Sequence, residues 1–188
     1  MTTTATAPKE TILNGVNVTK LGQTIEAVKQ DNEIAQFKFR ARNQWNTGGH
    51  SQPTIDTFYG ACQEMEHKQP FRFDADEPAV LLGEDNGANP VEFVLAGLSG
   101  CMTSTLAYHA ASRGLKLEDI SSEYEGDIDL RGFLDIDPNV RPGYREIRVK
   151  LKVKGDVDEA AVQELVRKSP VYDTLVNPVT IKIEVEKV

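Results

Sequence analysis

Cys101 lies inside a long apolar stretch, "NPVEFVLAGLSGCMTSTLAYHAASRG", which runs from Asn89 to Gly114. A thiol attacks peroxides or disulfides only as the thiolate, and only where a substrate can reach it. In mid-helix it gains nothing from the positive end of its own helix. An arginine or a backbone donor from a neighbouring element would have to lower its pKa. Free cysteines are also among the most buried side chains. The residues alone leave both readings open: a packed, inert cysteine or a reactive one. Gly97 and Gly100 precede it, and glycine weakens a helix. Their presence implies close packing there, by another helix or by a ligand.

The partners for such a thiol are few. Arginine keeps its charge at neutral pH, and Arg42, just before the "NTGG" turn, is the candidate. Glu92 is the nearest acid on the same helix. It lies about 14 Å from Cys101 along the axis and on the opposite face. A capping box with Asn89 accounts for it without chemistry. His109 follows Cys101 by about two turns and reads as an ordinary histidine. Cys62 and His67 stand in "CQEMEH", which is no zinc motif, because no second pair completes four ligands. The carboxylate pairs, Asp127 and Asp129 among them, read as solvated turns. No phosphate-binding loop, dinucleotide fingerprint or Gly-x-Ser-x-Gly elbow occurs.

The whole chain limits the classes further. Its 188 residues suit one domain with a real core. A formal charge of -8 argues against wrapping a nucleic-acid backbone. No run reaches the roughly 18 apolar residues of a membrane span. Residues 1–10 lack the apolar centre of a secretory signal and read as a flexible start. Two cysteines are too few for a disulfide scaffold, so a reducing, cytoplasmic setting is the default.

The elements that must position Cys101 follow from pattern. A short amphipathic helix is expected over 21–29. Strands are expected over 34–46 and 55–63, joined as a hairpin, with a short strand near 79–82. Asn89 as cap, Pro90 at the first position and Gly114 past the end bound a helix of about 24 residues, roughly 36 Å long. It is apolar nearly all round and should be covered on more than one side. An acidic strand over 116–132 precedes a basic one over 144–155, where cross-strand charge pairing would help. A helix over 156–168, a short helix capped by Ser169 and a closing strand over 179–188 complete the chain. Hairpins beside helices give an α+β fold. Residues 1–33 read as an N-terminal extension and 34–188 as a single domain.

Taken together, "NPVEFVLAGLSGCMTSTL", "RPGYREIRVKLKV" and "SPVYDTLVNPVTI" resemble the osmotically inducible and organic hydroperoxide resistance (OsmC/Ohr-like) proteins. The resemblance covers about 34–188 and is best over 89–188. It implies antiparallel-rich sheets around a long central helix in an intertwined homodimer, with the site at the dimer interface. It implies Cys101 as the thiol that attacks a hydroperoxide, an arginine that activates it, and a glutamate at the helix start that holds the arginine. It also implies a second cysteine at the head of the later short helix, recycling by an external dithiol, and no metal or bound cofactor. Leu98 and Met102 would form an apolar mouth for greasy peroxides. The chain departs from the pattern at two points. The second cysteine falls at Ser169, and the glutamate falls at Val91, with Glu92 one residue late. Cys62 or an outside thiol would then resolve the oxidised Cys101. The alternative is a homodimer that binds a small apolar or anionic molecule, or serves a structural role, without turnover.

Overall fold

The computed structural model describes residues 10–177 and 179–187. The expected flexible start lies outside the described residues up to residue 9. Described contacts separate the chain into two compact units that meet between Val94 and Leu95.

In the first unit, Asn14 and Gly15 take positive φ (52° and 75°). They turn a small hairpin of β1 (Ile12–Leu13) and β2 (Val16–Asn17). Asn17 then caps α1 (Val18–Gln30), accepting from the Lys20 amide at 2.9 Å. The expected helix is real and starts earlier, because that cap precedes its apolar residues. The single strand expected over 34–46 is divided. A 3-10 turn at Asn32–Ala35, capped by Asp31, leads into β3 (Lys38–Phe39) and β4 (Arg42–Thr47). β5 (His50–Gly60) takes β3 and β4 in succession along one edge and β6 (Gln63–Arg72) along the other, all antiparallel.

β6 has no counterpart among the expected elements. Its turn is made by Ala61 and Cys62, both with positive φ (49° and 62°). These residue types do not advertise a turn. The strand itself is mostly charged at alternate positions. The short strand expected near 79–82 is a 3-10 turn, Ala79–Leu81. The cause is Asp76, which is buried and gathers the chain around its carboxylate. It accepts from the amides of Glu77 (2.8 Å), Glu84 (3.3 Å) and Asn86 (3.1 Å), and from the Asn86 side chain (3.0 Å). These donors hold its pKa below the usual carboxylate value.

The long helix is α2 (Pro90–Ser112). It ends where Gly114 adopts φ 74° and the Leu115 amide reaches the Ala110 carbonyl at 2.9 Å. That is the Schellman closure that the glycine predicts. In the second unit, β7 (Leu117–Asp127) is followed by the one-turn α3 (Leu130–Phe133), then β8 (Glu146–Gly155). The expected acidic strand is shorter because Asp129 caps α3. β7 and β8 pair antiparallel, with Glu125 opposite Arg148 and Glu123 opposite Lys150. Arg148 binds both Glu125 (2.9 Å) and Asp127 (2.6 Å), so the expected charge ladder is present. Such exposed pairs contribute little each.

α4 (Glu159–Val166) and α5 (Pro170–Val176) follow. Leu98, Met102, Leu106 and Ala110 of α2 form one buried stripe with Leu165 and Val166 of α4. Ile120 and Tyr124 of β7 and Ile147, Leu151 and Val153 of β8 pack against it. By length and a mean hydropathy of 1.2, α2 reaches what a membrane-crossing helix requires. Here one face of it serves the core. The architecture is α+β with antiparallel sheets, as expected.

Two expectations differ from the structure. The helix was to be covered on more than one side. Its buried stripe occupies one face, while Ala96, Gly97, Gly100, Ser104 and Tyr108 are exposed. The chain is expected to close with a strand over 179–188. Residues 179–187 join no strand, and Val188 lies outside the described residues. Both apolar patterns therefore exceed what the described chain itself covers.

Two measurements test this core. Leu165 has no exposed surface, so Leu165→Ala lowers the unfolding free energy by about 2–5 kcal/mol in urea titration. His109, in the last turns of α2, has its pKa lowered mainly by burial and further by Lys168 and Arg113, with Glu164 opposing. A lowered histidine pKa means that the unfolded chain takes up the proton first. Its contribution is whole above the ordinary value of 6.5 and is lost as pH falls below it. Unfolding curves taken between pH 7.5 and 5.5 should show stability falling, and His109→Gln should flatten that slope.

Candidate functional site

Cys101 occupies α2 in the second unit and is half-buried. By helical rotation it sits about 100° from the centre of the buried stripe, at the border with the exposed face. Gly97 lies one turn earlier, on the exposed face. Where a side chain at Gly97 or Gly100 would begin, no atom lies within 4 Å. The glycines that implied close packing therefore leave open space beside the thiol. Ser104 donates its hydroxyl proton to the Cys101 carbonyl, at 3.1 Å. Leu98 and Met102, expected to form an apolar mouth, are core residues at 3% and 5% exposure. Tyr124 donates to the Met102 sulfur at 3.7 Å, which fixes that side chain inward.

Ser169, at the place of the second cysteine, is wholly buried. It caps α5, its hydroxyl accepting from the Tyr172 amide at 3.2 Å, with Pro170 at the first helical position. Its role here is structural.

The remaining expected residues belong to the first unit. Arg42 stands on β4, largely exposed, and its guanidinium binds Asp56 of β5. Glu92 closes a capping box: its carboxylate accepts from the Asn89 amide at 2.9 Å, and the Asn89 side chain accepts from the Val91 amide at 3.0 Å. Both charges are thus engaged locally. Cys62 is exposed at the β5–β6 turn.

Two features escaped the sequence reading. The first is a polar cluster at the start of β5: His50 meets Asp74 at 2.9 Å, and Gln52 donates to the same oxygen at 2.9 Å. These contacts lower the Asp74 pKa. The second is an aromatic file across one sheet. Phe37, Phe39, Phe58, His67 and Phe71 follow one another at ring distances of 5.1–5.9 Å. Alternation over 34–46 and 55–63 could have signalled its first half. The rest needed β6. Among the described residues no group of His, Cys, Asp and Glu side chains could hold a metal ion.

Comparison with known proteins bears on this arrangement. The chain matches the family described as OsmC-like protein over residues 83–184, more than half its length. No curated protein matches it. Among solved structures, an OsmC-like protein from Mycoplasma pneumoniae superposes with a TM-score of 0.56 at 16% identity, covering 75% of this chain and 89% of that one. An OsmC-like protein of unknown function from Vibrio cholerae gives 0.54 at 11% identity, with 73% and 92% covered. An organic hydroperoxide resistance protein from Legionella pneumophila gives 0.50 at 18% identity, with 73% and 89% covered. At these identities the superpositions speak for the fold. The matched segment contains α2, Cys101, β7, β8 and both later helices, and on that extent the chain belongs to the OsmC-like protein family.

Proposed function

We propose that the protein reduces organic hydroperoxides, with Cys101 as the attacking thiol, and that it does so as a homodimer. The observation that carries this reading is the position of Cys101. It is half-buried on a helix that lies within the family match, beside the open space at Gly97 and Gly100. The Legionella relative's description as an organic hydroperoxide resistance protein points the same way.

The chemistry is a two-electron transfer. The Cys101 thiolate attacks the terminal oxygen of the hydroperoxide, a sulfur–oxygen bond forms, and the oxygen–oxygen bond breaks. The leaving alkoxide takes a proton and departs as the alcohol, and Cys101 is left as sulfenic acid. One thiol of an external dithiol displaces water and forms a mixed disulfide. Its second thiol then frees Cys101 and leaves the reductant as a disulfide. Cys62 is the alternative first thiol within the protein. Arg42 is assigned as the cation that favours the thiolate, and Glu92 as the acid that orients it. To serve, Arg42 leaves Asp56 and Glu92 leaves the Asn89 amide. The exposed face of α2, which this chain leaves bare from Ala96 to Tyr108, is where a second copy would pack.

Ser169 favours a second reading. Buried and committed to capping α5, it offers no resolving thiol. In that reading Cys101 only lines a site for a small apolar or anionic ligand, and the homodimer turns nothing over.

A coupled assay with an organic hydroperoxide and a dithiol divides the two. Peroxide consumption by the wild type, abolished in Cys101→Ser, supports the reductase. Equal, slow consumption by both proteins leaves only the binding reading. Arg42→Ala should cut the rate of the first oxidation at least tenfold at pH 7, with recovery as pH rises and the thiol ionises without help. An unchanged rate removes Arg42 from the site. Cys62→Ala should leave the first oxidation intact, and it should stop turnover only if Cys62 resolves the sulfenic acid.

A further inference from the structure

A groove of about 660 Å³ lies in the second unit, and Cys101 is not among the residues that line it. Its walls are aliphatic: Ile147, Leu151 and Val153 of β8, Val162 and Val166 of α4, and Met102 of α2. From Ile147 to Val153 the strand runs about 20 Å. The volume suits a small-molecule site, and the aliphatic lining follows the strand lengthwise.

The polar groups on this lining are unevenly placed. Arg148, Lys152 and Lys154 of β8 each hold a carboxylate of β7. Lys150 and Arg167, which line the groove, have no ion-pair partner among the described residues. Tyr172 adds a phenol hydroxyl to the same lining. The acid there, Glu159, accepts from the Gln163 side chain at 3.2 Å. Residues 156–158 alone separate β8 from α4, so Glu159 stands beside the end of β8. Arg167 and Tyr172 lie past the other end of α4. The groove is therefore apolar along its length, positive at one end and negative at the other.

We propose that this groove binds a linear alkyl chain that ends in a carboxylate. The chain lies along the aliphatic wall of β8. Arg167 receives the carboxylate, since a guanidinium presents parallel donors that fit its two oxygens. Lys150 adds positive charge on the same wall, and Glu159 disfavours the reversed orientation. A neutral chain would leave both cations unpaired, and a cationic one would be repelled by them. The site is separate from the thiol and does not rest on the chemistry proposed for Cys101.

Calorimetric titration of the full chain at pH 8 with decanoate, octanoate, decanol and decyltrimethylammonium tests this. Decanoate should bind once per chain, about tenfold tighter than octanoate, because two further methylenes are buried. Decanol should bind at least tenfold more weakly, and the cation not at all. Lys150→Gln/Arg167→Gln should bind decanoate and decanol alike, with the decanol affinity unchanged. Val149 lines the groove but is 36% exposed and outside the buried cluster. Val149→Trp should therefore keep the circular dichroism of the wild type and weaken both ligands at least tenfold. If that variant unfolds, the comparison of decanoate with decanol in the charge variant decides alone. Equal binding of decanoate and decanol by the wild type, or no binding, overturns the site. Undiminished binding by a folded Val149→Trp does the same. Loss of decanoate binding in Cys101→Ser would move the ligand to the thiol, and loss on self-association would show the groove covered by another copy. Either result also overturns the proposal.

Discussion

The burial of one stripe of α2 governs the rest of the second unit. Leu98, Met102, Leu106 and Ala110 face Leu165, Val166 and the inner faces of β7 and β8. Each of the leucine, valine and methionine side chains contributes about 1.5–3 kcal/mol when fully buried. Once that face is chosen, the rotation of the helix is no longer free. Cys101 must then fall at the border, and Gly97, Gly100 and Ser104 must face outward. A helix that is apolar on every face could have turned any of them inward. The partners on β8 and α4 decide which.

The charged groups show a similar division between framework and chemistry. Arg148, Arg131 and Arg113 are each held by carboxylates of their own neighbourhood. Asp129 has its pKa drawn down to about 2, first by Arg131. These pairs join strands, turns and helices at their exposed sides. None of these three arginines is left over for a thiolate.

The chain is also built with surplus apolar surface. The outer face of α2, the file of aromatic rings on β3, β5 and β6, and the alternating residues 179–187 are all exposed. Patches of this extent on a folded chain mark places where something else packs. The groove along β8 is their converse, a concave apolar surface that its own chain does not fill.

Local signals determined much by themselves. Asn89, Pro90 and Gly114 bounded α2, Ser169 and Pro170 opened α5, and the alternation of 144–155 made β8, because caps and periods act over a few residues. The capping role of Glu92 was legible for the same reason. Only the tertiary structure decided the rest. It turned 76–86 into a loop around the Asp76 carboxylate, revealed β6 behind an Ala61–Cys62 turn, and left 179–187 without a strand partner. It placed Cys101 at a border and Ser169 in the core. A sequence states which side chains avoid water, but which of several equally apolar faces is covered depends on what distant segments bring to it.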